Sequence, residues 1–363
     1  MKSSLFTNTS SNRDKGIETL RGMAIILMVA GHVIGSDYRS GLKVPDNSWF
    51  RYFYYSFEYL RMPLFTVISG FVYAMRPIST STEQKKFINR KIVRLLIPFF
   101  IAVTLLCVFQ AITPGTNAKL PFDKFWRAYV FPYAQFWFVQ GIFIVFILIS
   151  FLETVGVMKN FKGWFLVFSV SILLFYTGLI KITFFSLDRA PFLLMFFLLG
   201  LGMKRFYNQL FDNKLIAFCS LLVFLIGIGY QQFLYFNDGA ENHNVISLLT
   251  ILVGSTGAFL LVMMRFYNPA LAWIGNYSYE IFLYHSFGTA GSRIFMKLLG
   301  ISNLNIYFAI CLIMGISLPI LFRIICGASP LLTTILFGEK RNKSRENVKV
   351  KQKEAAITTT TPY

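Results

Sequence analysis

Apolar residues run in long blocks separated by short polar, basic or glycine-containing stretches, and the blocks have the length that crosses a bilayer. A hydrocarbon core of roughly 30 Å takes about 20 helical residues. Ten segments fit, at about 20–36, 52–75, 95–113, 132–151, 163–182, 187–203, 215–235, 246–266, 274–298 and 304–326. The expected fold class is an all-α membrane protein, a polytopic helical bundle of about ten transmembrane helices. No internal repeat with matching motifs interrupts this pattern, which argues against an inverted-repeat transporter.

Composition agrees with that pattern. Of 363 residues, 55% are hydrophobic, 14% are charged and 41 are Phe, a balance that leaves too little polar surface for a soluble domain. Lys and Arg test the topology independently, because they accumulate in cytoplasmic loops. With both termini cytoplasmic, the inner segments hold 24 of them and the outer segments 10, with Arg61 inside a span. That asymmetry accounts for the net charge of +19 without nucleic acid, and no aromatic-interleaved basic fold suggests such a partner.

The chain therefore divides into a short cytoplasmic N-terminal segment (1–19), a transmembrane domain (20–326) and a basic, largely disordered cytoplasmic tail (327–363) that is polar from about Gly338. The polar start runs into a span without a small-residue cleavage site, so no cleavable signal peptide is expected. The lipid bilayer is the solvent, and the expected location is the cell (inner) membrane. Cys107, Cys219, Cys311 and Cys326 lack metal-type spacing and read as buried free thiols. His243, beside Asp238 and Glu241, reads as a surface histidine, and no metal site is expected.

Chemistry enters with Arg21 and His32, ten residues apart on the first apolar segment. Eleven steps of about 100° make three turns, so on a helix both side chains share a face roughly 16 Å apart along the axis. The guanidinium would sit at a membrane boundary and the imidazole well inside. Ionisable groups at depth face a protein interior or a wet cavity and mark function. In the second segment Glu58 lies three residues before Arg61, on the same face, as its expected charge partner. Pro63 should interrupt that helix, and Ser69 with Gly70 allows a neighbour to approach closely. Arg90, Lys91 and Arg94 form a basic run, with Arg90 and Arg94 at i and i+4 on one face, suited to two donors aimed at one phosphate.

Four blocks in order resemble the acyltransferase-3 family of integral membrane O-acyltransferases. The first is Leu20-Arg21-Gly22 with Gly31-His32, matching the family's Arg and His in type and spacing. The second is Pro63-Leu64-Phe65 with Ser69-Gly70-Phe71, where Arg61 stands in place of a His common in the family. Phe136-Trp137-Phe138-Val139 is similar to the family's aromatic start of a fourth helix, and Trp273 to His285 to its late Gly-x-x-Ser-Tyr block, with Ser278, Glu280 and His285 as polar members.

The resemblance spans roughly 16–325 and implies transfer of an acyl group, most often acetyl, to sugars of surface polysaccharides. On that reading His32 and Arg21 are catalytic and acetyl-CoA is the co-substrate rather than a tightly bound cofactor. Arg90, Arg94 and Lys91 hold its phosphates, while Glu58, Arg61, Ser69, Ser278, Glu280 and His285 bind or support substrate. The acceptor is a glycan or lipid-linked saccharide, and polysaccharide-assembly proteins are further partners. Neutral His32 would take a proton from the attacking hydroxyl, a role suited to an imidazole; acyl-His or acyl-Ser69 is the minority route. The rival is an exporter of a glycan or lipid-linked saccharide, which would use the same buried charges but break no thioester.

Overall fold

The computed structural model describes residues 14–117, 119–208, 213–238 and 248–339, and all regular structure among these is helical. His243 and residues 340–363 lie outside the described residues. Helix α1 (Lys15–Ile34) begins where the Asp14 carboxylate accepts from the amides of Gly16 and Ile17, at 3.0 and 3.2 Å. It ends at Gly35, whose φ of 89° breaks the helical path. The helix thus starts before residue 20 and runs unbroken through Arg21 and His32, preserving their three-turn spacing.

The segment 52–75 is two helices, α2 (Trp49–Ser56) and α3 (Glu58–Tyr73). The interruption expected at Pro63 falls at Phe57, and α3 runs through the proline. The cause is tertiary: Arg51 is held by the carbonyl of Gly35 and by Asp46 at 3.0 Å, and Tyr55 exchanges hydrogen bonds with Gln231, at 3.1 and 2.7 Å. The first ties hold α2 to the 35–46 loop and the second to the helix Lys214–Asp238, so the chain must turn before α3 descends.

A capping box of Thr80 and Glu83 starts α4 (Ser81–Lys91), which passes through a π turn (Ile92–Leu96) into α5 (Ile97–Ile112). There follow α6 (Phe125–Val130), α7 (Trp137–Thr154), α8 (Phe161–Thr177), α9 (Ala190–Arg205), α10 (Lys214–Asp238) and α11 (Leu248–Met264). The last four are α12 (Pro269–Asn276), α13 (Ser278–Leu298), α14 (Leu304–Cys326) and α15 (Pro330–Phe337). The apolar segments are largely helical among the described residues, with 178–182 and 265–266 among the stretches that leave the helical path. By length and apolarity, six continuous helical stretches among the described residues could cross a membrane, or seven if α11 and α12, bent by 116°, count as one.

Helix α1 is central, packed by α3, α12, α13 and α14. Close crossings depend on residues without a side chain: a Cβ on Gly22 would strike the backbone of Leu271, and one on Gly70 the backbone of Phe197. Outward faces stay apolar, as on α10, where Phe218, Leu225 and Ile226 are exposed. Cys219 shares that exposure, while Cys107, Cys311 and Cys326 are buried thiols.

Residues 330–337, assigned to the tail by their position, form α15 and return to the bundle. Phe337 is 1% exposed, 5.7 Å from the ring of Tyr284 and 5.6 Å from that of Phe322. The Tyr284 hydroxyl donates to the Leu336 carbonyl at 2.9 Å. Apolar burial of one aromatic residue anchors this segment, which precedes the polar stretch that begins at about Gly338.

Candidate active site

The far half of α1 carries His32 into a recess inside the bundle. Its imidazole is exposed yet enclosed by protein, with His285 and Arg61 as electrostatic neighbours. The ring of His285, from α13, lies 5.0 Å away, centre to centre. His285 is fully buried, and its Nδ1 lies 3.0 Å from the carbonyls of both Ile281 and Phe282. Its Nε2 is buried without a protein partner.

Arg61 reaches the same place from α3. A Cβ on Gly31 would collide with its guanidinium, so the glycine before His32 makes room for this cation. The guanidinium also lies 4.1 Å from the centre of the Tyr54 ring. Glu58 is half-buried and feels the charges of Arg61 and Arg51, but among the described residues no ion pair within 4.0 Å joins Glu58 to Arg61. The expected carboxylate partner is replaced by an aromatic face, which leaves the guanidinium edge free to donate.

The other end of α1 meets a cluster of cations. The Lys91 ammonium lies 3.5 Å from the centre of the Phe146 ring and 5.2 Å from that of Phe87, and its electrostatic neighbours are Arg94, Arg21 and Arg90. Glu18 pairs with Arg21 at 2.9 Å, which balances one charge. The remaining excess of like charge in a partly enclosed space suits an anion with several charges. The α-helical phase expected for Arg90 and Arg94 does not hold, because Arg94 belongs to the π turn. The two instead flank Lys91 from successive kinds of turn. π turns are common at functional sites. This one is held by the Tyr279 hydroxyl, which donates to the Leu95 carbonyl at 3.2 Å, and by Gly338, packed on the backbone of Arg94.

The remaining predicted residues fall outside both centres or are occupied. The Ser69 hydroxyl donates to the Phe65 carbonyl at 2.9 Å within its own helix. Glu280 is buried and lies 3.7 Å from Arg323, which also pairs with Glu339. Ser278 is half-buried at the start of α13. Among the described residues, no group of three or more His, Cys, Asp or Glu is arranged to hold a metal.

Sequence reasoning missed Gln135, 3% exposed, whose Oε1 accepts from Ser286 at 3.2 Å while its Nε2 is buried without a partner. A lone amide inside the aromatic run from Phe131 to Phe138 was the available signal. It also missed Tyr54 and Tyr279, which look like the other aromatics of their segments and differ only in what they face.

No curated protein and no solved structure matches this chain. The family model described as an acyltransferase domain does match, over residues 14–324, nearly the whole chain, and with it the histidine recess, the basic end and the apolar helices. The chain belongs to this acyltransferase-3 family and is a multi-pass membrane acyltransferase.

Proposed function

We propose that the protein transfers acetyl from acetyl-CoA to a sugar hydroxyl of a surface polysaccharide or exopolysaccharide, or of its lipid-linked precursor, in the bacterial inner membrane. Its ten apolar segments would each cross, with both termini cytoplasmic. The reading is carried by one observation: a single unbroken helix has Arg21 among cations at one end and His32 in an accessible recess roughly 16 Å further along.

The donor's phosphates bind Arg90, Lys91, Arg94 and Arg21 at the cytoplasmic mouth, and its flexible arm extends along α1. Neutral His32 takes the proton of the sugar hydroxyl as that oxygen attacks the thioester carbonyl carbon. The Arg61 guanidinium, held beside Gly31, faces the negative charge that develops on the carbonyl oxygen. As the tetrahedral intermediate collapses, the C–S bond breaks and the proton passes from His32 to the departing sulfur. Ester and free thiol are the products. An acyl group crosses towards the outer face, and the donor stays inside.

Purified protein in nanodiscs, supplied with acetyl-CoA and cell-surface glycan, should release free thiol and leave an ester detectable on the glycan. Passage of glycan across the bilayer without thiol release, in folded protein, would replace this reading with the exporter.

A further inference from the structure

Two imidazoles meet in the recess, and one of them has its proton fixed. The Nδ1 of His285 lies 3.0 Å from two carbonyl oxygens, which can only accept, so Nδ1 carries the hydrogen. In the neutral ring Nε2 is then a lone pair, and it is buried without a protein partner. Buried acceptors are almost always satisfied, so this one calls for a donor. The ring of His32 is 5.0 Å away, centre to centre, and makes no hydrogen bond of its own among the described residues. Rotation about the broad χ2 of a histidine turns a ring nitrogen towards that lone pair. Catalytic hydrogen bonds that are long in the free enzyme tighten when substrate binds.

We propose that His285 is a positioning residue for His32: its fixed Nε2 accepts the N–H of His32 and so leaves the opposite nitrogen of His32 as the base facing the recess. This rests on the reading of His32 as the base. The hydroxyl proton goes to the free nitrogen of His32, and the resulting imidazolium keeps its other N–H on His285. The C–S bond breaks and the proton moves on to sulfur. His285 holds its own Nδ1 proton throughout and changes no charge. A carboxylate in this position would orient His32 equally well, but its charge would compete with the developing oxyanion for the Arg61 guanidinium, the other neighbour of His32. A neutral imidazole supplies the orientation alone.

The protein has three histidines, so ¹⁵N-histidine labelling gives three imidazoles to assign, with His243→Gln identifying one. In nanodiscs, the wild-type His32 ring should show one tautomer, with a single protonated nitrogen. His285→Phe should show both tautomers at His32 and lose about 10- to 100-fold in kcat for thiol release, with KM for acetyl-CoA little changed. His285→Gln, which retains an acceptor oxygen, should recover part of the loss and favour one tautomer.

Equal tautomers in the wild type would overturn the proposal without any variant. So would wild-type kcat in folded His285→Phe, provided His32→Ala is inactive in the same assay. Full activity of His32→Ala would remove the base itself, a separate failure.

Discussion

The guanidinium of Arg61 occupies the space that a side chain on Gly31 would need, one residue before His32. A glycine on α1 and a cation on α3 thus form one feature, and the chain's departure from the family's usual His at this place acquires a geometric setting.

Gly31→Ala should therefore act at a distance from its own backbone. The added methyl pushes Arg61 out of the recess, and a displacement of about 1 Å in a positioning group can cost about 10²-fold. We expect kcat for thiol release to fall on that scale while folded protein remains abundant. Unchanged kcat would show that the position of Arg61 is irrelevant to transfer.

His32→Ala should abolish transfer and leave insertion and abundance near normal. Its ring faces an open recess rather than a packed core, so its removal creates no closed void. Ester content normalised to folded protein is the measurement. A loss of protein in proportion to activity would point to packing instead.

At the basic end, Arg90→Ala and Arg94→Ala should each raise KM for acyl-CoA about tenfold, the scale of one charge-assisted contact, with little change for the acceptor. Screening should make donor affinity salt-dependent in the wild type and less so in the variants. Donor titrations at low and high salt test both points. Equal affinities in all proteins would return these residues to a topological role.

Ser69 and Gly70 should separate cleanly. The Ser69 hydroxyl is bonded to Phe65 within its own helix, so Ser69→Ala should keep most of the activity, contrary to an acyl-Ser69 route. A Cβ on Gly70 would meet the Phe197 backbone, so Gly70→Ala should instead reduce the yield of folded protein. Activity assays and size-exclusion profiles of the two variants distinguish these outcomes.

Phe337→Ala should destabilise the fold by about 3–5 kcal/mol, the usual cost of deleting a buried aromatic side chain. Leu331→Ala on the same helix, where the side chain is 67% exposed, serves as the control. Thermal unfolding in detergent should lower the midpoint of the first variant only.

Properties that depend on neighbours within one helix were legible without the structure. The all-helical, apolar character of the chain follows from the lipid to be crossed, and the register of Arg21 with His32 follows from 3.6 residues per turn. Glu58 with Arg61, and Arg90 with Arg94, followed the same reasoning and met a limit: Tyr54 stacks on Arg61, and a π turn shifts the phase of Arg94. Both changes come from contacts with other parts of the chain, which spacing does not encode.

The pairing of His32 with His285, the gathering of Arg21 around Lys91 and the return of Phe337 to the bundle join residues far apart in sequence. Such contacts depend on where helices cross, and close crossing depends on glycines whose partners are backbone atoms elsewhere in the chain. Periodicity specifies which face of a helix is apolar; packing among many helices decides what that face meets.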